Sequence, residues 1–328
     1  MSKMPGYSRP LRLGTRGSQL ARWQAEWVAG ELRQLGHAVE LIEIATHGDV
    51  DRARPIEELG TRGVFTKAIQ QALLNGNVDL AVHSLKDLPT EPVEGLMLAA
   101  VPVRESAADV LVEVLGARSE ARDQATKGHP VLSGLRFGAR VGTGSLRRQA
   151  QLRHLRPDLV VEEVRGNVDT RLRKLDEGQF DAIVLAQAGL RRLGLADRIS
   201  WVLPFEVMLP AVGQGALGIE CRANDDNTLA ALGPLDDFES HAAVMAERAL
   251  LAHLRGGCMA PVGAIARVDG ERLQLQAAVL RIDGTQRVEA SGVAELGHAE
   301  SLGKQVAEWL IEQGAAELIA STRRGASG

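Results

Sequence analysis

Cys258 lies in Arg255-Gly256-Gly257-Cys258-Met259-Ala260-Pro261, between a helix-like and a strand-like stretch. Two glycines before a thiol make an accessible turn that a bulky group can approach. A thiolate is also the strongest nucleophile among ordinary side chains. Free cysteines are more often small buried hydrophobes, and the spacing alone admits that reading too. Asp87 is the second candidate, in His83-Ser84-Leu85-Lys86-Asp87-Leu88-Pro89 at the end of a strand-like run. Ligands of open parallel sheets bind at the carboxyl ends of strands. A carboxylate beside Lys86 stays ionised at neutral pH, and could stabilise a developing cation or take a proton. A surface Lys–Asp pair of little energetic worth has the same sequence. His83 alternates with apolar neighbours and is assigned no role.

The third candidate is a set of arginines: Arg147 and Arg148, Arg165 in Arg165-Gly166-Asn167, then Arg171, Arg191 and Arg192. Arginine binds carboxylates bidentately and stays charged. Arg147 and Arg148 fall in the first turn of a predicted helix, where cations oppose the helix dipole. A locally unfavourable choice of this kind often marks a site. From Arg136 to Arg198 there are 13 Lys/Arg against 8 Asp/Glu, a local excess of +5 in a chain of net charge −4. That pattern suggests a local anionic ligand carrying several carboxylates or phosphates, although a solvated basic face reads the same way.

These residues need elements to hold them. Leu11–Leu13 reads as a strand, residues 18–35 as a helix with Leu20, Trp23, Trp27, Val28 and Leu35 on one face, and Val39–Ala45 as a strand. A helix over Val64–Leu74 and a strand over Val78–His83 follow. The order is βαβ and predicts a largely parallel sheet. The pattern restarts with a strand at Arg140-Val141, helix 145–155, strand 159–164, helix 168–175, strand 181–185 and helix 187–193. The two runs open alike, with Gly14-Thr15-Arg16-Gly17-Ser18 and Gly142-Thr143-Gly144-Ser145. Hydroxyls between strand and helix suit either an N-cap or an anion at a helix N-terminus. Two in matching places suggest two lobes facing a shared cleft. Residues 47–63 read as a lid or a plain loop, and Gly116–Gly134 as an exposed insertion. The end of the chain reads as helix 239–254, strands 262–268, 273–280 and 287–294, and helix 302–313, a small α+β domain.

At 328 residues the chain is too long for one core, and its 45% hydrophobic and 24% charged residues are ordinary for a globular protein. Aromatics make up only 3%, which argues against base stacking with nucleic acid. Two cysteines cannot build a disulfide framework or a four-cysteine zinc site. No signal-peptide core and no apolar run of a membrane span is found, so a cytoplasmic protein without membrane partners is expected. Phosphate-loop, dinucleotide and His-Glu-x-x-His motifs are absent.

Taken together, the quoted segments resemble the porphobilinogen deaminase family, as do Ala188-Gly189-Leu190-Arg191-Arg192-Leu193-Gly194 and Leu209-Pro210-Ala211-Val212-Gly213-Gln214-Gly215. They occur in family order from about Leu11 to the last helix. The resemblance implies two α/β lobes like those of periplasmic binding proteins, plus a small C-terminal α+β domain with a three-stranded antiparallel sheet. Its domains would be residues 9–104 with 216–236, residues 105–215, and residues 237–328. It implies a transferase of heme and tetrapyrrole synthesis that condenses four porphobilinogen molecules head to tail, releasing ammonia, to give hydroxymethylbilane. A dipyrromethane cofactor would be joined to Cys258 by a thioether, with no metal. Asp87 matches the catalytic aspartate. Ser84, Lys86, Thr143, Ser145, Arg147 and Arg148 match cofactor-binding positions, and Arg16, Ser18, Arg165, Arg171 and Arg192 match substrate-binding ones. The partners implied are porphobilinogen and the growing oligopyrrole, on a monomer. Gly144 departs from the serine of many members, and Gly116–Gly134 is longer than in compact ones. A two-lobed polycarboxylate-binding protein without turnover is the alternative of another class.

Overall fold

A computed structural model of the chain describes residues 9–45, 66–114, 132–257 and 260–325. In chain order the first elements are β1 (Leu11–Thr15), α1 (Gln19–Gln34), β2 (Val39–Glu43), α2 (Lys67–Leu74), β3 (Leu80–Ser84) and β4 (Leu96–Ala100). Next come β5 (Asp109–Glu113), β6 (Arg140–Gly142), α3 (Leu146–Leu155), β7 (Val160–Glu162), α4 (Val168–Asp176), β8 (Ala182–Ala186), α5 (Gln187–Arg192) and β9 (Trp201–Val202). The chain continues through β10 (Leu217–Arg222), α6 (Asp226–Leu232), α7 (Phe238–His253), β11 (Val262–Asp269), β12 (Arg272–Leu280), β13 (Arg287–Glu295), α8 (Ala299–Glu312) and α9 (Ala315–Gly325). Two compact units result, one of Met1–Arg104 with Ala216–His241, the other of Glu105–Gly215 with Ala242–Gly328.

The first unit holds a five-stranded sheet of order β2-β1-β3-β10-β4, and the second one of order β7-β6-β8-β5-β9. Three strands of each are parallel, as βαβ order predicts. In each sheet a fourth strand shares that direction and one is reversed: β10 runs antiparallel to its neighbours β3 and β4, and β5 to β8 and β9. The sheets are therefore mixed rather than largely parallel. A parallel neighbour needs a crossover connection, whereas β10 enters its sheet after the whole second sheet has been traversed and is not bound to that direction. Neither β5 nor β10 alternates in polarity, because both are buried on both faces.

The echo between the two runs is structural. Leu13 and Gly14 pair with Leu80 and Ala81 in one sheet, and Val141 and Gly142 with Ala182 and Ile183 in the other. At the bottom of each pair an aspartate closes the strand. Asp79 accepts from the Arg12 N–H and guanidinium, and Asp181 accepts from the Arg140 N–H. A Cβ on Gly142 would lie 3.0 Å from both Ile183 and Phe180, so this position stays small.

Ser18 caps α1 by accepting from the Ala21 N–H, and Gly36, at φ 90°, ends it. The buried face is Gln24, Ala25, Val28, Ala29 and Leu32; of the predicted face Val28 is buried and Trp27 packs against the core, whereas Trp23 and Leu35 are exposed. The spacing is still helical, but small side chains let the helix lie close on the sheet. In the second unit β11, β12 and β13 form an antiparallel sheet covered by α7, α8 and α9, with Ala246, Leu250, Leu275, Val306 and Leu310 in its core. Most of the predicted 116–134 insertion and the whole 47–63 segment lie outside the described residues. Leu132 is buried, so the end of that insertion packs inward.

Candidate active site

In the first unit the β3 strand delivers Ser84 and then a single 3-10 turn, Leu85–Asp87. Leu85 is buried and its N–H donates to Ala216 O at 3.0 Å, while the Leu88 N–H closes the turn on Leu85 O. The turn is thus pinned at both ends while Asp87 is exposed and Lys86 half-buried. Gly218 leaves room for this pinning, because a Cβ there would sit 2.6 Å from Leu85 Cδ1. Ser84 is held from below by Gln24, whose Nε2 donates to Ser84 Oγ at 2.8 Å. Gln24 is buried and was not legible as a site residue, since a glutamine inside an apolar helical face carries no motif.

Arg16 and Ser18 lie half-buried after β1, and the Ser18 hydroxyl serves as the α1 cap. His83 is buried with Nε2 2.9 Å from Glu220 Oε2, an ion-pair distance without hydrogen-bond alignment. Glu220 also accepts from Gln70.

In the second unit the basic segment is largely neutralised by its own lobe. Arg136 pairs with Asp181, Arg140 with Glu162, Arg156 with Asp158, Arg173 with Glu177, Arg191 with Glu105 and Arg198 with Asp176. The local charge excess therefore overstates what is offered to a ligand. Arg165 is exposed and clasped by Glu163 through two bonds of 2.6 and 2.9 Å. Arg171 is half-buried and donates to Gly166 O. Gly166 has φ 115°, and Asn167 caps α4 by accepting from the Thr170 N–H. Arg192 donates to Gly215 O at 2.6 Å, and burial pulls its guanidinium down to about 10, which leaves it charged at neutral pH.

Arg147 and Arg148 converge on Asp109, which is fully buried. Arg148 donates from Nε and Nη2 to Asp109 Oδ1 and from Nη1 to Val184 O, so all three of its nitrogens are engaged. Arg147 donates from Nη1 alone, at 2.7 Å to Asp109 Oδ2 and 2.6 Å to Leu209 O. Its Nε is buried and has no hydrogen-bond partner among the described residues. Burial would raise the Asp109 pKa, but the two guanidiniums and the Gln214 amide hold it below the usual carboxylate range. The same carboxylate offsets the cost of two cations at a helix N-terminus. Asp109 carried no motif in the sequence and meets the arginines only through tertiary structure, where Gln214 joins it. Thr143 is buried and its Oγ1 accepts from the Ser145 N–H. Ser145 sits at the N-cap of α3 without a side-chain cap bond, so of the two echoing serines only Ser18 caps through its hydroxyl. A Cβ on Gly144 would lie 3.1 Å from Val164 O.

Cys258 lies outside the described residues, but its approach does not. Arg255 and Gly257 both have left-handed backbone, with φ 50° and 65°. The Gly256 Cβ position is filled by Leu251 and Ala260, whereas that of Gly257 meets nothing within 4 Å among the described residues. The other cysteine, Cys221, is buried in β10 and burial pushes its thiol up to about 11, which makes it inert at neutral pH. Among the described residues no His/Cys/Asp/Glu group could hold a metal, and no helix is long and apolar enough to cross a membrane.

Two family profiles match the chain. One, described as the porphobilinogen deaminase, dipyromethane cofactor binding domain, covers residues 11–230; the other, the porphobilinogen deaminase C-terminal domain, covers 241–312. The porphobilinogen deaminase of Desulforudis audaxviator is 49% identical over 97% of this chain and 99% of its own. That of Syntrophotalea carbinolica is 47% identical over 96% of both chains, and that of Geobacter metallireducens 45% over 95% and 94%. Among solved structures, an ancestral cationic amino acid solute binding protein gives a TM-score of 0.41 at 15% identity, covering 69% of this chain and 87% of that one. With two profiles in order and relatives matched over nearly their whole length, the chain belongs to the porphobilinogen deaminase family.

Proposed function

We propose that Asp87 is the catalytic carboxylate of an enzyme that joins four porphobilinogen molecules head to tail, releasing one ammonia at each addition, to give hydroxymethylbilane. Loss of ammonia breaks a C–N bond and leaves an electron-poor methylene. The Asp87 carboxylate stabilises that cation and accepts a hydrogen bond from its pyrrole N–H. The new C–C bond forms at the free α-carbon of the acceptor pyrrole, whose α-proton is then lost to the released ammonia. One water adds to the last methylene when the chain leaves. The observation that carries this reading is the pinned turn, which fixes the Asp87 backbone while leaving the side chain exposed. Ser84, held by Gln24, ends β3 just before that turn and Lys86 lies within it, while Arg16 and Ser18 follow β1, the strand beside β3.

The dipyrromethane cofactor of the family supplies, when bound, the primer pyrrole to which the first porphobilinogen is joined. The residues present fit it. Among the described residues the buried Arg147 Nε lacks an acceptor, which a carboxylate would provide. The space that the described residues leave beside Gly257 gives clearance one residue before the thiol, and Cys221 is sealed. In this reading Cys258 is the thioether anchor, Arg147, Thr143 and Ser145 receive cofactor carboxylates, and Arg148 holds Asp109 and with it the arginine pair. Arg165, Arg171 and Arg192 take acetate and propionate groups of the growing chain. The same reading divides the chain into residues 9–104 with 216–236, 105–215 and 237–328, and makes the enzyme a cytoplasmic monomer. The test is intact mass. The active protein is expected to carry a dipyrrole adduct that Cys258→Ser lacks. An active protein with an unmodified, titratable Cys258 would remove the anchor assignment.

A further inference from the structure

The segment Leu209–Gly215 crosses the second unit as a strap with partners on both sides. On one side Gln151 grips the Leu209 peptide reciprocally, accepting from its N–H at 2.8 Å and donating to its carbonyl at 3.0 Å, and Arg147 donates to the same carbonyl. Gln214 reaches Ala107 O and Asp109 Oδ1. On the other side the Ala264 N–H of β11 donates to Pro210 O. Gly263 packs so closely that a Cβ would lie 2.7 Å from Leu209 Cβ and 2.8 Å from Leu209 O.

Glu247, on α7, completes this joint. It is fully buried, and its two oxygens accept from two backbone donors, Gly213 N of the strap at 2.7 Å and Ala266 N of β11 at 2.8 Å. β11 is an edge strand, so its outward N–H groups would otherwise lack partners. A single carboxylate thus joins α7, β11 and the strap. Cys258 lies in the connection from α7 to β11, so both flanks of that connection are tied to the element that Arg147 and Gln151 hold.

We propose that Glu247 is a positioning residue for the condensation, fixing the α7–β11 connection against the arginine end of α3 through the strap. This rests on Cys258 being the anchor. The two oxygens of a carboxylate can accept from two facing N–H donors at once. An amide would turn its own NH2 toward one of them. Glu247→Gln is therefore expected to load the cofactor, by intact mass, and to bind porphobilinogen with a KM close to the parent's. Its kcat per loaded molecule should fall about 10- to 100-fold, as misplacement by about an ångström does. Gln151→Met frees the same strap from the opposite side and should give the same kcat loss with the same KM. If either variant folds and loads but turns over at the parental rate per loaded molecule, the proposal is wrong. Should Glu247→Gln not fold, Gln151→Met decides alone. Absence of any adduct in the parent would instead overturn the anchor assignment, a separate failure.

Discussion

Arg147 and Arg148 are adjacent, equally buried and bound to the same aspartate, yet the geometry separates them. Arg148 has every nitrogen engaged within the lobe, while the Arg147 Nε is unpartnered among the described residues. Removing Arg148 takes three hydrogen bonds from buried acceptors while Asp109 stays paired with Arg147 and Gln214, a loss of about 1–3 kcal/mol. Arg148→Ala is therefore expected to lower the unfolding free energy by an amount in that range, read by denaturant titration. Arg165 pairs with Glu163 at an exposed position, where an ion pair contributes about 0–1 kcal/mol. Arg165→Ala should leave the denaturation midpoint almost unchanged and raise KM for porphobilinogen. Asp87→Asn keeps the turn and removes the charge. It is expected to abolish turnover while the cofactor adduct persists by intact mass; normal turnover would take Asp87 out of the mechanism.

At the scale of elements, contacts between strands and loops decide more than propensity. Gly263 belongs to a regular strand and its backbone is ordinary, so conformation does not demand a glycine there. Space does, because the obstructing atoms include the Leu209 carbonyl, which cannot rotate away. Gly263→Ala should destabilise by about 1–3 kcal/mol, the usual cost of overpacking, visible as a lower melting temperature. Gly257 is the opposite case. Its Cβ position meets nothing within 4 Å among the described residues but its φ is 65°, so a side chain there pays for backbone strain rather than for collision. Helix α1 shows the limit of periodicity. Trp23 and Leu35 fit its apolar face by spacing yet are exposed, and the sheet accepts Ala25, Val28, Ala29 and Leu32 because they allow close approach.

For the whole molecule, two buried aspartates set the acid limit. Asp79 and Asp109 are both held below the usual carboxylate range, against their burial, by the arginines around them. A depressed folded-state pKa contributes stability that is complete above the unfolded value and is lost as pH falls toward the folded one. The contribution of these two groups should thus be constant from neutrality down to about pH 4, the ordinary aspartate value, and fall away below it. A urea midpoint measured against pH tests this, and a midpoint that drops steadily between pH 7 and 5 would assign acid sensitivity to other groups.

The sequence by itself determined the family, the two α/β runs and the C-terminal three-stranded sheet, and it singled out Asp87 as a candidate. Such features are local: strand-helix periodicity, glycines at turns, and residues a few positions apart. Tertiary structure decided which charges are spent. The basic excess of residues 136–198 looked available in sequence, but its partners include Glu105 and Asp109, which reach the arginines only when β5 pairs with β8. It also decided the direction of β5 and β10 and the roles of Gln24, Gln151 and Glu247, polar residues on helices with no motif around them. Their partners lie 60, 58 and 34 residues away along the chain. A hydrogen bond of that kind leaves no spacing to read, since the chain closes it only after the sheets have formed.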